Sequence, residues 1–296
     1  MTCNRCGREI TENQEYCKNC GNYLLDIDKN NNNRNIEYQP NHYLKILIIY
    51  YAIIYVGVII PQFILMWLYP LIFGMPLYSG DNLTTHATNF INIWMQIIIY
   101  VSLFIITVVM LWKSIKNDLI KFTKLAKYTI KLAFIGIAAL YISMYVIQLT
   151  YNSLNITGSS GNQSAIEEMM FSSGTLPLVL YCIVLIILAP IVEELIFRKS
   201  IFSYLKKFNL SKNKKIIISA LLFGFLHIFS TVITLLSEGA ISEIFTVFIL
   251  SIPYIAMGFI ASYTYAESDE NVICPLIIHI FNNAVSCVSI LALYFS

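Results

Sequence analysis

The chain has 296 residues, of which 57% are hydrophobic and only 12% are charged. A soluble domain is about half apolar and about a quarter charged, so this composition excludes an ordinary soluble protein and is typical of a multi-pass membrane protein. The formal net charge of +2 does not favour a nucleic-acid partner. Membrane lipid is therefore the partner that the composition predicts.

The first 25 residues contain two C-x-x-C pairs, each followed by glycine, in the segments CNRCG and CKNCG. Each pair presents two thiolates on a tight turn, and four thiolates form a closed tetrahedral zinc site. Two disulfides are the alternative, but the segment is predicted to be cytoplasmic, where thiols stay reduced. We therefore expect a structural zinc ribbon over 1–25, which resembles short ribbons of bacterial membrane proteins and offers a site for a cytoplasmic protein partner. Its predicted ligands are Cys3, Cys6, Cys17 and Cys20.

A polar, asparagine-rich stretch over 26–43 is expected to be a flexible linker. A helical membrane bundle is expected over 44–296, because seven apolar runs reach the length of about 20 residues that crosses a bilayer. These runs are 44–68, 90–112, 128–150, 176–205, 214–236, 244–265 and 272–295. Pro61 and Pro190 predict kinks, and an eighth short or re-entrant element around 69–80 is an alternative. The predicted fold class is an all-α polytopic membrane bundle with a small N-terminal ribbon.

Lysine and arginine cluster in three parts of the sequence. Six of the 19 precede the first span, six lie in 113–131 and seven lie in 198–215. Since basic residues are enriched in cytoplasmic connections, the N-terminus is predicted to be cytoplasmic and the C-terminus outside, in the cell membrane. The connection 266–271 would then be cytoplasmic although it is acidic, which is acceptable because acidic residues carry little topological weight.

Two adjacent glutamates, Glu193 and Glu194, lie in the fourth apolar run, in the stretch IILAPIVEELIFRKS. An ionisable side chain at bilayer depth is costly and usually functional. Glu194 and Arg198 are four residues apart, so they share a helix face and can form an ion pair. Glu193 points about 100° away and needs a partner on another span.

Two other spans carry histidines to a similar depth. His227 lies in the fifth run and His279 in the seventh, with Asn283 one turn further on. At about 1.5 Å per residue, Glu193 and His227 lie roughly 20 and 18 Å from the lysines at the ends of their spans. Any one of these polar residues, taken alone, could simply form a hydrogen bond between two helices. Their matched depth instead predicts one shared site.

Three motifs carry a resemblance to a known family. The segments EELIFR, FGFLH and HIFNN fit the patterns EExxxR, FxxxH and HxxxN. In this order they resemble the CPBP family of intramembrane proteases, which includes the CAAX prenyl endopeptidases and bacterial self-immunity proteins. The resemblance covers 128–295, which we take as the protease core.

The resemblance implies an endopeptidase that hydrolyses a peptide bond in a membrane-associated protein or peptide. It implies that Glu193 and His227 activate a water molecule, and that His279 and Asn283 bind or polarise the scissile carbonyl. The implied site residues are Glu193, Glu194, His227, His279 and Asn283, and Glu194, Arg198 and Phe223 support the site structurally. The substrate stays open between a prenylated protein, a secreted peptide under maturation and a target linked to bacteriocin immunity.

The mechanism and the function class also have alternatives. Glu193, His227 and His279 form a donor set for a catalytic divalent metal, although we favour water activated by glutamate. A proton-coupled transporter would use the same buried cluster, but the sequence lacks the inverted repeat with broken helices that such transporters show. A non-catalytic membrane adaptor that binds a partner through the ribbon is the remaining alternative.

Overall fold

The structure is a computed structural model, and it describes residues 8–9, 40–158, 160–171 and 175–295. The four cysteines of the predicted zinc ribbon, most of the rest of that ribbon and most of the predicted linker lie outside the described residues. Within them, six helical segments are long and apolar enough to cross a membrane. They are Pro40–Phe73, Thr85–Ser153, Thr175–Phe208, Lys212–Glu238, Ile241–Glu267 and Ile273–Leu293. The prediction of an all-α polytopic membrane bundle is confirmed.

The described segments divide into shorter helices and one hairpin. The α-helices are α1 (Pro40–Tyr55), α2 (Ile59–Phe73), α3 (Thr85–Ser153), α4 (Gly161–Phe171), α5 (Thr175–Ile183), α6 (Ala189–Glu194), α7 (Phe202–Tyr204), α8 (Lys212–Glu238), α9 (Ile241–Leu250), α10 (Ile252–Glu267) and α11 (Ile273–Phe295). Two π-helices, Val184–Leu188 and Leu195–Ile201, flank α6, and a 3-10 helix follows at Leu205–Phe208. Strands β1 (Tyr78–Ser79) and β2 (Asn82–Leu83) form an antiparallel pair.

The first predicted span is interrupted between α1 and α2. Residues 56–58 form a turn, three to five residues before Pro61. Proline has no N–H group, so the carbonyl of Gly57 lacks its helical donor and the helix breaks there. The kink that the sequence predicts is thus a full interruption. In the region 69–80, α2 ends at Phe73 and the small hairpin begins at Tyr78, so the structure does not support an eighth span there.

The second and third predicted spans lie on one long helix, α3, which has 69 residues. Its backbone leaves the helical region at Leu125, where φ is −121° and ψ is 20°. Residues on both sides of this bend contact the end of α10 or the connection that follows it. Asn271 donates to the carbonyl of Asp118 at 3.0 Å, and Tyr128 donates to the carbonyl of Glu267 at 3.2 Å. The two arms of α3 therefore meet at the lysine-rich end of the bundle.

Further along each arm, α3 reaches the middle of the bundle. On the first arm Tyr100 contacts Glu193, and on the second arm Tyr141 packs against Phe281 with ring centroids 6.2 Å apart. Because Phe281 is two residues from His279, the arms return to a similar depth. Each arm has the length of a span, and the connection 113–131 between them is helical apart from the bend.

The acidic turn, residues 267–270, is bound by lysines from three other parts of the chain. Lys121 Nζ lies 2.8 Å from Asp269 Oδ2, and Asp269 and Glu270 both have positive φ angles, of 58° and 54°. The other ion pairs are Lys206 with Glu270, Lys212 with Glu267 and Lys215 with Glu270. These contacts neutralise the acidic connection and hold its left-handed backbone in place.

A short helix that the sequence analysis did not predict, α4, lies in the connection between the third and fourth spans. The Ser160 hydroxyl lies 2.8 Å from the hydroxyl of Tyr254, and the Asn162 amide donates to the same oxygen at 3.3 Å. Since Tyr254 belongs to α10, these bonds attach the beginning of α4 to the bundle.

Candidate active site

The helix that carries the two glutamates is irregular on both sides of them. Pro190 has no N–H group, and just before it the chain forms the first π-helix, in which the Ala189 N–H bonds the carbonyl of Val184. The second π-helix begins directly after Glu194. The kink predicted at Pro190 therefore takes the form of a π-helical turn. Such turns are frequent at functional sites because they re-aim side chains.

Glu194 connects two spans. Its Oε2 atom lies 3.0 Å from Arg198 Nε, and its Oε1 atom accepts a hydrogen bond of 2.8 Å from His279 Nδ1. Both Glu194 and Arg198 are fully buried. The contact with Arg198 is a pairing of charges without hydrogen-bond geometry. The guanidinium also lies over the ring of Phe223, 5.0 Å from its centroid.

Glu193 points to a different set of partners. Its Oε2 atom lies 3.7 Å from His279 Nε2 and 3.9 Å from His227 Nε2. Its Oε1 atom accepts a hydrogen bond of 3.3 Å from the hydroxyl of Tyr100. Glu193 retains 7% of its surface exposed, whereas Glu194 retains none. The two adjacent carboxylates thus have different environments.

The hydrogen bonds at Nδ1 fix the tautomers of both histidines. His227 Nδ1 lies 2.8 Å from the carbonyl oxygen of Phe223, which can only accept, so Nδ1 carries the proton. The ring also stacks on Tyr254 with centroids 4.4 Å apart. His279 Nδ1 donates to Glu194 in the same way. In the neutral rings, both Nε2 atoms therefore present a lone pair near Glu193.

Asn283 is held by the backbone of the first π-helix. Its Nδ2 atom donates to the carbonyl of Leu185 at 2.9 Å, so it anchors α11 to the helix that carries the glutamates. The structure therefore brings Glu193, Glu194, His227 and His279 together in one cluster, while Asn283 lies on the same helix face as His279 and reaches the neighbouring backbone.

The geometry of this cluster does not fit a catalytic metal. Among the described residues, no group of three or more histidine, cysteine, aspartate or glutamate side chains is arranged so that it could hold a metal ion. Ligands bonded to zinc at about 2.0–2.1 Å lie roughly 3.4 Å apart in a tetrahedron, whereas Glu193 Oε2 lies 3.7 and 3.9 Å from the two Nε2 atoms. The catalytic metal stays a prediction.

Two tyrosines of the site and a second buried ion pair were not predicted from the sequence. Tyr100 and Tyr254 carry no charge and do not stand out in an apolar run. Lys199 Nζ lies 2.6 Å from Asp118 Oδ2, with both side chains nearly inaccessible to solvent, and the Val272 N–H donates to the same oxygen at 3.1 Å. The signal for this pair was that Asp118 is the only acidic residue in the lysine-rich stretch 113–131.

Comparisons with known proteins point to the same part of the chain. Residues 175–285 match the family model described as type II CAAX prenyl endopeptidase Rce1-like. An uncharacterised protein of Mycoplasma capricolum subsp. capricolum is 31% identical over 153 residues, which is 51% of this chain and 40% of that protein. The chain thus spans about two fifths of the length of this relative. No solved structure matches the chain significantly.

The family match contains all the motif residues from Glu193 to Asn283. It covers less than half of the chain and does not extend to α1–α4. Together with the six apolar segments, the match supports the resemblance to the CPBP family for the part of the chain that carries the three motifs.

Proposed function

We propose that the chain is an intramembrane endopeptidase that hydrolyses a peptide bond of a membrane-associated protein or peptide with an activated water molecule. One observation carries this proposal. The Nε2 atoms of His279 and His227 lie 3.7 and 3.9 Å from the same carboxylate oxygen, Glu193 Oε2. These separations exceed a direct hydrogen bond, so a water molecule can donate one hydrogen to Glu193 Oε2 and the other to the Nε2 atom of a neighbouring imidazole.

The arrangement of protons suits general base catalysis. Glu193 accepts a proton from the water while the lone pair on His227 Nε2 orients it, because Nδ1 of that ring is held by Phe223. The water oxygen then attacks the scissile carbonyl carbon. Glu193 passes the proton to the amide nitrogen as the carbon–nitrogen bond breaks, so the proton balance closes within one residue.

Two further residues complete the proposed site, and one of them, Asn283, can donate to the developing oxyanion. The amide of Asn283 uses one N–H group for Leu185, and an amide nitrogen has a second N–H to donate. His279 is kept in place by Glu194. Because Arg198 balances the charge of Glu194, Glu193 is left as the carboxylate whose charge serves the reaction. Donors preorganised in a site of low dielectric are the main source of such stabilisation.

The test is a proteomic comparison of membranes that contain the wild-type chain or its Glu193→Gln variant. The amide keeps the shape of the side chain but cannot act as a base, so a substrate should accumulate uncleaved in the variant. Glu238→Gln is the matched control, since Glu238 is an exposed glutamate at the end of α8. A farnesylated peptide that ends in a C-a-a-X sequence is the first purified probe, because the matching family model carries that activity in its name.

Wild-type and Glu238→Gln membranes should show the same cleaved peptides, and Glu193→Gln membranes should lack them. Identical peptide profiles for all three proteins at equal expression would overturn the proposal.

A further inference from the structure

We infer that Tyr100 is a positioning residue for Glu193, and that its hydroxyl holds one carboxylate oxygen so that the other faces the two imidazoles. The expected effect of Tyr100 on catalysis rests on the proposed function, whereas the contact between Tyr100 and Glu193 does not. Tyr100 lies on the first arm of α3, outside the residues 175–285 that match the family model. The site is therefore completed by a helix that the motifs do not include.

The contacts of Glu193 give the tyrosine a distinct task. A glutamate carboxylate rotates about a terminal torsion with broad, roughly two-fold preferences, so its two oxygens are easily exchanged. Among the described residues, Tyr100 is the donor to Oε1, whereas Oε2 lies near His227 and His279 and has no hydrogen bond. The tyrosine therefore selects which oxygen faces the place where water would bind.

Two sets of contacts keep Tyr100 itself in position. Near the site, its ring packs against the cluster that includes Ile93, Tyr181 and Val184. At the lysine-rich end, the same arm of α3 is fixed by the buried pair of Asp118 with Lys199. Lys199 and Glu193 belong to one continuous helical segment, so α3 contacts that segment through polar groups at two separate levels.

The surroundings strengthen the hydrogen bond. A phenol that donates to a carboxylate makes a charge-assisted bond, and burial away from water strengthens it further. If the free energy of a hydrogen bond to a charged group is lost in the transition state, the reaction rate falls by about tenfold to hundredfold. We therefore expect Tyr100→Phe to lower kcat by about this factor and to leave KM within about twofold, because the tyrosine acts through the base and not through substrate binding.

Tyr181→Phe is a matched control. Tyr181 belongs to the same apolar cluster and is 2% exposed, so the substitution removes the same atom from that cluster. Its hydroxyl makes no hydrogen bond to Glu193, whose Oε1 is bound by Tyr100. A role of tyrosine hydroxyls in packing alone would affect both variants alike.

The contact can be tested without any substrate. The full-length protein is reconstituted in lipid nanodiscs, and the infrared bands of Glu193 are isolated as the difference between the protein and its Glu193→Gln counterpart. The carboxylate bands should shift in the Tyr100→Phe background and stay in place in the Tyr181→Phe background. Bands that are identical in the wild-type and Tyr100→Phe backgrounds would overturn the inference.

The kinetic arm uses cleavage of the farnesylated C-a-a-X peptide by the same preparations. A fall in kcat for Tyr100→Phe with unchanged KM, and wild-type kinetics for Tyr181→Phe, support the positioning role. Wild-type turnover in Tyr100→Phe, or an equal loss in both variants, counts against it. If the wild-type protein leaves the peptide intact, that result counts against this substrate class in the proposed function, and the infrared shift decides the inference about Tyr100.

Discussion

Replacing Glu194 by glutamine should destabilise the protein far more than replacing its neighbour Glu193. Glu194→Gln removes the carboxylate 3.0 Å from Arg198 Nε and leaves a fully buried guanidinium without its ion-pair partner. Breaking one side of a buried pair costs about 3–5 kcal/mol, a large part of the roughly 5–15 kcal/mol that stabilises a typical folded protein. The hydrogen bond from His279 is retained, because the amide oxygen can still accept it.

Glu193→Gln should have a much smaller effect on folding. Among the described residues, its carboxylate has no lysine or arginine within ion-pair distance, and its bond from Tyr100 can pass to the amide oxygen. The expected loss is that of weakening one hydrogen bond, roughly 1 kcal/mol. This variant should therefore be inserted and folded but inactive, whereas Glu194→Gln should lose activity through unfolding.

The measurement is reversible unfolding of the purified proteins in mixed micelles as the fraction of a denaturing detergent is raised. The double variant Glu194→Gln/Arg198→Met provides the control, because it removes both charges and should recover most of the stability lost in Glu194→Gln. Equal stability of the Glu193→Gln and Glu194→Gln proteins would refute the assignment of different roles. So would a double variant that is less stable than both single variants of the pair.

Oxidation should join Cys182 to Cys287, because their Sγ atoms are only 3.2 Å apart, while Cys274 stays reduced. Mass spectrometry after diamide treatment measures which cysteines are joined. If Cys182 and Cys287 remain reduced, the packing of α5 on α11 is contradicted. A cysteine introduced by Asp81→Cys into a cysteine-free background should react with an impermeant maleimide in intact cells, whereas one from Ile120→Cys should react only after lysis. Labelling of both from the same side would contradict the predicted orientation. The full-length protein purified under reducing conditions should hold one zinc ion per chain through the ribbon cysteines, as measured by elemental analysis. Protein without zinc would exclude the ribbon. A second equivalent of zinc that is retained after the ribbon cysteines are replaced would favour a catalytic metal.

Hydropathy was sufficient to locate the membrane segments, because a helix satisfies the hydrogen bonds of its own backbone N–H and C=O groups where lipid cannot. It was insufficient for the connection 113–131, which is helical around the bend at Leu125. A stretch rich in lysine has no apolar period, and its helix is stabilised by tertiary contacts such as the buried bond from Lys199 to Asp118. Such contacts depend on residues 81 positions apart and leave no local pattern.

The site was predictable to the extent that charge reveals it. Glu193, Glu194, His227 and His279 are ionisable groups in apolar runs, so their cost in lipid draws attention to them. The different roles of the two glutamates also follow from helix geometry, since only Glu194 shares a face with Arg198. The π-helices that aim these side chains were not predictable, because a π-turn depends on packing around Pro190 as well as on the proline itself. Tyr100 was missed because a neutral aromatic residue is ordinary in a membrane helix.

The lysines that surround the acidic turn, residues 267–270, contribute to two properties of the chain, so that the effect of replacing one of them has two possible causes. Lys121, Lys206 and Lys212 belong to the basic clusters that are predicted to orient the spans, and each also pairs with a carboxylate of residues 267–270. Removing one of them therefore alters two properties together, the signal for insertion and the closure of the bundle. Exchanging the lysine and the acidic residue of one pair would keep the ion pair that closes the bundle. Only the distribution of basic residues that directs insertion would change.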